Sequence, residues 1–144
     1  MFQHILLPTD GSEAATRAVS RGAELAARLG ARVTVMTALE HYPAGIMGSA
    51  YRPSQGADLE PGLQAAMDRL DQAVALVRQA GLDCHRLLLR DRPVYQAILD
   101  AAESQEVDLI VMGTHGLGLV ERLFVGSQTQ RVLARTQIPV LTLH

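Results

Sequence analysis

Short apolar runs alternate with longer helical periodicities from one end of this chain to the other, and that alternation constrains its fold more than any other feature. The run Ile5-Leu6-Leu7 predicts a first strand over about His4–Pro8, and a helical period follows from about Ser12 to Leu29, with Ala15, Val19, Gly22, Ala26 and Leu29 on one face and Gly30 as its stop. A second strand is expected at Arg32–Leu39. Leu63, Met67, Leu70, Val74 and Val77 then recur at helical spacing before Gly81, which makes Met67 core filler in this reading. A third strand falls at about Asp83–Arg90, and Pro93 opens a helix with Val94, Ile98 and Ala101 inward. Leu109–Met112 is the fourth strand, Ser127 to Ala134 the last helix, and Pro139 leads into a final strand, Val140–Leu143. Five strands with four crossovers, right-handed in nearly every known case, make an α/β fold: a doubly wound five-stranded parallel sheet, Rossmann-like.

At 144 residues the chain suits a single domain over 1–144, long enough to bury about 68–70% of its unfolded surface. The segment from His41 to Pro61, rich in Gly, Pro, Ser and Ala, is long for a loop in such a domain, and its Tyr42, Ile46, Met47 and Tyr51 would fold over a ligand or a partner or else form a surface excursion. A formal net charge of −2 leaves no basic footprint for nucleic acid. No stretch approaches the roughly 18 apolar residues of a membrane span, and the N-terminus lacks the shape of a signal peptide, so a soluble, cytoplasmic protein is expected. The single cysteine, Cys84, reads as partly buried filler.

The chemistry concentrates near the end of the chain. Gly113, two residues, Gly116, nine residues, then Gly126-Ser127 follow directly on the fourth strand. Glycines at a strand-to-helix junction let backbone N–H groups approach an anion closely, which outlines a phosphate cradle. Ser127 with Gln130 also has the spacing of a capping box, and capping uses the same donors as phosphate binding. All 13 basic residues are arginine. The absence of lysine excludes the Walker P-loop and Schiff-base chemistry, and Gly113-Thr114-His115-Gly116-Leu117-Gly118 misses the spacing of the dinucleotide fingerprint. At the end of the first strand, Pro8-Thr9-Asp10-Gly11-Ser12 offers a carboxylate beside a helix start. Asp10 with Glu13 reads either as a helix cap or as an acid facing a ribose hydroxyl or magnesium. Ligands of open sheets sit at the carboxyl ends of strands where the strand order reverses. If the first and fourth strands are neighbours, Asp10 and Gly113 face one crevice.

These residues, with Ile138-Pro139-Val140-Leu141 at the back, resemble the universal stress protein family over the whole chain. The resemblance implies strand order 3-2-1-4-5 and the ATP-binding branch of that family. Carried over position by position, it puts Pro8, Thr9, Asp10 and Ala38 on the adenosine side, and Met112, Gly113, Gly116, Gly126, Ser127 and Gln128 around the ribose and phosphates. It implies ATP with magnesium held through the phosphates, and a homodimer joined by the last strand, Val140–Leu143. Two departures stand out. Gln128 occupies a position where the family often has Val, and Arg90-Asp91-Arg92-Pro93 replaces the glycine that commonly precedes that proline.

Among the remaining candidates, His115 lies between two of the glycines and reads as a solvated loop histidine. Arg122 is the one basic residue of the nine-residue stretch, either approaching a γ-phosphate or solubilising the surface. His4, His41, His85 and His144 show no metal-ligand spacing, and neither a catalytic set nor an intrinsic metal site is expected. The expected function is a regulatory, stress-response nucleotide-binding module. The competing readings are a slow ATPase or nucleotidyl-transferring enzyme and a dimeric scaffold that binds no nucleotide.

Overall fold

The structure is a computed structural model that describes residues 1–39, 62–114 and 126–144. The elements run β1 (His4–Pro8), α1 (Glu13–Leu29), β2 (Arg32–Leu39), α2 (Leu63–Gln79), β3 (His85–Arg90), α3 (Val94–Ser104), β4 (Leu109–Gly113), α4 (Ser127–Leu133) and β5 (Val140–Leu143). All strand pairs are parallel, in the order β3-β2-β1-β4-β5. The strand order reverses between β1 and β4, whose register pairs Leu6 with Ile110.

The apolar strands are continuous because both faces of the sheet are covered. Successive side chains point to opposite faces. Ile5 and Leu7 therefore join Val33, Val35 and Val111 under α1 and α2, while Leu6 joins Met36, Ile110 and Met112 under α3 and α4. Helix α1 approaches very closely along a face of small residues, Ala15, Ala18, Gly22 and Ala26. A Cβ on Gly22 would stand 2.4 Å from Leu7 Cδ2. Gly30 ends the helix in the left-handed conformation, at φ 66°.

Two apolar residues expected inside lie outside. Leu29 is 42% exposed, at the end of α1 beyond the small-residue face, and Met67 is 39% exposed. In α2 the inward face runs through Ala66, Leu70, Ala73 and Val77, so Ala66 takes the place expected of Met67 and lets the helix sit closer. Cys84 is half-buried against the core under α1 and α2, and burial raises its thiol pKa. The segment expected to form a long excursion, His41 to Pro61, lies outside the described residues. Among the described residues no helix is long and apolar enough to cross a membrane.

At the N-terminal end of the sheet, His4 is buried, with Nε2 sharing a 2.8 Å hydrogen bond with Thr34 Oγ1. Burial and then the Arg32 charge lower its pKa below the ordinary 6.5. Asp108 ties the start of β1 to the start of β4 by accepting from the backbone N–H groups of Gln3 and His4, at 2.8 and 2.9 Å.

Candidate functional site

The turn after β1 is built from its own side chains. Thr9 is buried, its N–H donates to the Met36 carbonyl at 2.8 Å, and its Oγ1 accepts from the Gly11 N–H at 3.1 Å. Gly11 holds φ 78°, a conformation that favours glycine. Asp10 Oδ1 accepts from the Ser12 N–H at 2.9 Å, and Ser12 Oγ accepts from the Ala15 N–H at 3.2 Å. Ser12 is therefore the N-cap of α1. The expected pairing of Asp10 with Glu13 as the cap is replaced by an Asx turn feeding a serine cap, and Asp10 stays exposed at the mouth of the turn. The stem of Arg69, from α2, lies over the same turn, its Cγ 2.9 Å from where a Gly11 Cβ would be.

Across the strand-order reversal, Gly113 ends β4. A Cβ there would stand 2.4 Å from the Ala14 carbonyl oxygen and 2.9 Å from the Ala15 nitrogen. The absence of a side chain at Gly113 is thus what lets the first turn of α1 settle against β4. Beyond it, Thr114 is buried and its N–H donates to the Leu143 carbonyl at 2.8 Å, while its hydroxyl shares a 2.8 Å hydrogen bond with His144 Nδ1. The root of the glycine run is thereby joined to β5.

Gly126 is the N-cap of α4, with no side-chain cap, and Ser127 is the first helical residue. The expected Ser127–Gln130 capping box does not form, because a capping serine must sit one position before the helix, outside helical φ and ψ. The Gln130 N–H instead donates to the Gly126 carbonyl at 2.9 Å. Helix α3 begins with Pro93 as its N-cap residue and likewise has no side-chain cap from its own segment. Gln128 supplies one from α4: its Oε1 accepts from the Tyr95 N–H at 3.1 Å. Arg131 and Arg135, also on or next to α4, stand 5.6 and 4.8 Å from the centroid of the Tyr95 ring.

Between these turns opens a cleft at the carboxyl ends of β1, β2 and β4. Pro8, Thr9, Asp10, Ala38, Met112, Gly113, Gly126 and Gln128 all line it. Ser127 does not: it is exposed on the outer side of the α4 start. Gly116, His115 and Arg122 lie outside the described residues. The apolar walls include Val94 and Ile98 of α3, which sequence reasoning assigned only to the core. No local signal marks them as lining residues, because only the packing of α3 beside α4 brings them there. Among the described lining residues Asp10 is the one carboxylate. Among the described residues no group of three His, Cys, Asp or Glu side chains is placed to hold a metal ion.

A doubly wound parallel sheet with a lined crevice at its strand-order reversal defines a class of α/β domains that take ligands at the carboxyl ends of their strands. The universal stress protein family profile matches residues 1–144, and this chain belongs to that family. A universal stress protein of Thermus aquaticus, encoded in the QAH/OAS sulfhydrylase 3′ region, is 41% identical over 98% of both chains. Among solved structures, a universal stress protein in complex with cAMP is 27% identical, with a TM-score of 0.70 over 99% of this chain and 97% of its own. The universal stress protein of Archaeoglobus fulgidus shares the fold, with a TM-score of 0.77 at 24% identity over the whole of both chains.

Proposed function

We propose that this chain is a regulatory nucleotide-binding module that takes ATP, with magnesium carried on the phosphates, into the cleft between β1 and β4. It acts through binding rather than turnover. The observation that carries this reading is the convergence of four chain segments, the ends of β1, β2 and β4 and the start of α4, on one crevice at the strand-order reversal. The cAMP complex of a relative at 27% identity supports an adenine nucleotide. In this reading the adenosine side lies against Pro8, Thr9, Asp10 and Ala38. The ribose and phosphates lie toward Met112, Gly113, Gly116 and Gly126, with Ser127 and Gln128 at the α4 start. The chemistry of the donors fits such a ligand: apolar walls suit a base, and the exposed Asp10 carboxylate suits a ribose hydroxyl or the hydrated magnesium.

Magnesium-ATP titrated into purified, nucleotide-stripped protein is expected to give saturable heat near one site per chain. No heat across millimolar ATP, with the protein shown to be folded, would make the glycines structural and favour the scaffold reading. Gly126→Asp sharpens the experiment. Aspartate is a good N-cap residue, and the backbone at Gly126 (φ −53°, ψ 147°) accommodates it, so α4 is retained while a carboxylate enters the cleft wall. ATP affinity should collapse in a folded protein.

The same reading joins two copies along β5, the sheet edge on which Leu141 is 38% exposed. Light scattering should give twice the chain mass, and Leu141→Arg should return the monomer.

A further inference from the structure

Helix α3 starts with a proline at its N-cap, no side-chain cap of its own and no acidic residue in its first turn. One acceptor that serves it comes from α4, through Gln128 Oε1 on the Tyr95 N–H. A backbone N–H can face only the oxygen end of a side-chain amide, so this bond decides which way the amide of Gln128 points. Its carbonyl is committed to α3. Its NH₂ group, with two donors, is turned away from Tyr95 and has no hydrogen-bond partner among the described residues.

Gln128 is half-buried in the cleft wall beside Val94 and Ile98. Those apolar neighbours suit the flat face of a base, and the amide NH₂ adds a donor to the hydroxyls of Thr9, Ser12, Thr37 and Thr129 in the same wall. We infer that Gln128 sets the ligand specificity of the cleft, by donating its amide NH₂ to a nucleoside acceptor that carries no hydrogen, the ring oxygen of the sugar. The inference rests on the nucleotide reading above and deepens it. An aliphatic side chain at this position would supply neither the cap nor the donor, so the property depends on the amide of Gln128.

Glu and Met at position 128 separate the two roles. In Gln128→Glu the carboxylate still accepts from the Tyr95 N–H but has no donor, whereas Gln128→Met has neither. Adenosine is the decisive probe, because it carries no phosphate for a carboxylate to repel, and ATP is titrated alongside. Gln128→Glu is expected to keep the wild-type melting temperature and to bind adenosine about tenfold more weakly, the loss of one hydrogen bond. Gln128→Met should lose a similar factor in affinity together with several degrees of melting temperature. Adenosine binding by Gln128→Glu within twofold of wild type would overturn the inference and leave the nucleotide reading standing. A parallel fall of affinity and melting temperature in both variants would make Gln128 a strut between helices and overturn it too. A wild-type protein silent toward both adenosine and ATP would overturn the nucleotide reading and this inference with it.

Discussion

Replacing Gly113 with alanine adds one methyl group at the point where α1 meets β4, and the structure predicts how much that costs. The new Cβ would stand 2.4 Å from the Ala14 carbonyl oxygen and 2.6 Å from its carbon, about 1 Å short of the 3.4–4 Å of ordinary contact. Both atoms belong to backbone in the first turn of α1, and that turn is held by the Ser12 cap. No side-chain rotation can relieve the clash, so α1 must move off the sheet. Overpacking costs about 1–3 kcal/mol when side chains can adjust, and here we expect about 3 kcal/mol or more, which for a domain of this size is roughly 10 °C in Tm. Two other glycines calibrate the estimate. Gly22→Ala meets a side-chain atom, Leu7 Cδ2, at 2.4 Å, and the gain in helix propensity offsets about 1 kcal/mol of the strain, leaving a net loss of about 0–2 kcal/mol. Gly30→Ala meets nothing within 4 Å and suffers only from φ 66°, which costs about 1 kcal/mol. Urea unfolding with a constant m-value should therefore rank Gly113→Ala as the most destabilised of the three. A Gly113→Ala protein no less stable than Gly30→Ala would refute the packing account. The experiment also bears on function: weaker nucleotide binding by Gly113→Ala would follow from a displaced α1 and would not by itself make Gly113 a ligand contact.

Three further predictions concern stability and reactivity. The pKa of His4 is depressed in the folded state, so its contribution is complete above the ordinary value of 6.5 and is lost as pH falls from there through the folded value. Melting temperature should decline on acidification below about pH 7, and His4→Gln should flatten that limb; identical profiles for the two proteins would rule out the assignment. For Asp108, burial opposes ionisation but the backbone N–H groups of His4 and Gln3 outweigh it, so its pKa is lowered and its support fails only in strong acid, below the ordinary 3.8. Asp108→Ala should cost about 1–2 kcal/mol at neutral pH by urea unfolding, and a loss within a few tenths would show the two N–H groups equally well served by water. Cys84, whose thiol pKa is raised first by burial, should react slowly with a thiol reagent in the native protein and rapidly in urea, and equal rates would contradict its place against the core.

Much of the architecture was legible in the residues because its causes are local. Apolar runs of strand length and the 3.6-residue period of the intervening segments located all nine elements. Gly30, Gly81, Pro93 and Pro139 punctuate them through backbone conformations that depend on those residues alone. The uninterrupted apolar run of β1 already implied a sheet covered on both faces. Strand order was not available from periodicity, which carries no information about neighbours; it came from the family resemblance, and the structure has it.

What the tertiary structure decided are the matters in which neighbouring residues, or two distant segments, compete for one place. Ser12 rather than Asp10 caps α1. Gly126 rather than Ser127 caps α4. Ala66 rather than Met67 faces the sheet, because a small side chain there allows closer approach. Gly113 reads in sequence as part of a ligand cradle, yet its missing Cβ is first required by the Ala14 backbone, which arrives from 99 positions earlier in the chain. Gln128 stands out in sequence as a candidate contact and a departure from the family pattern, but its bond to the Tyr95 N–H exists only because α3 comes to lie beside α4. Local propensity selects the elements from short windows of sequence, whereas caps, close approaches and the walls of a cleft depend on which elements become neighbours.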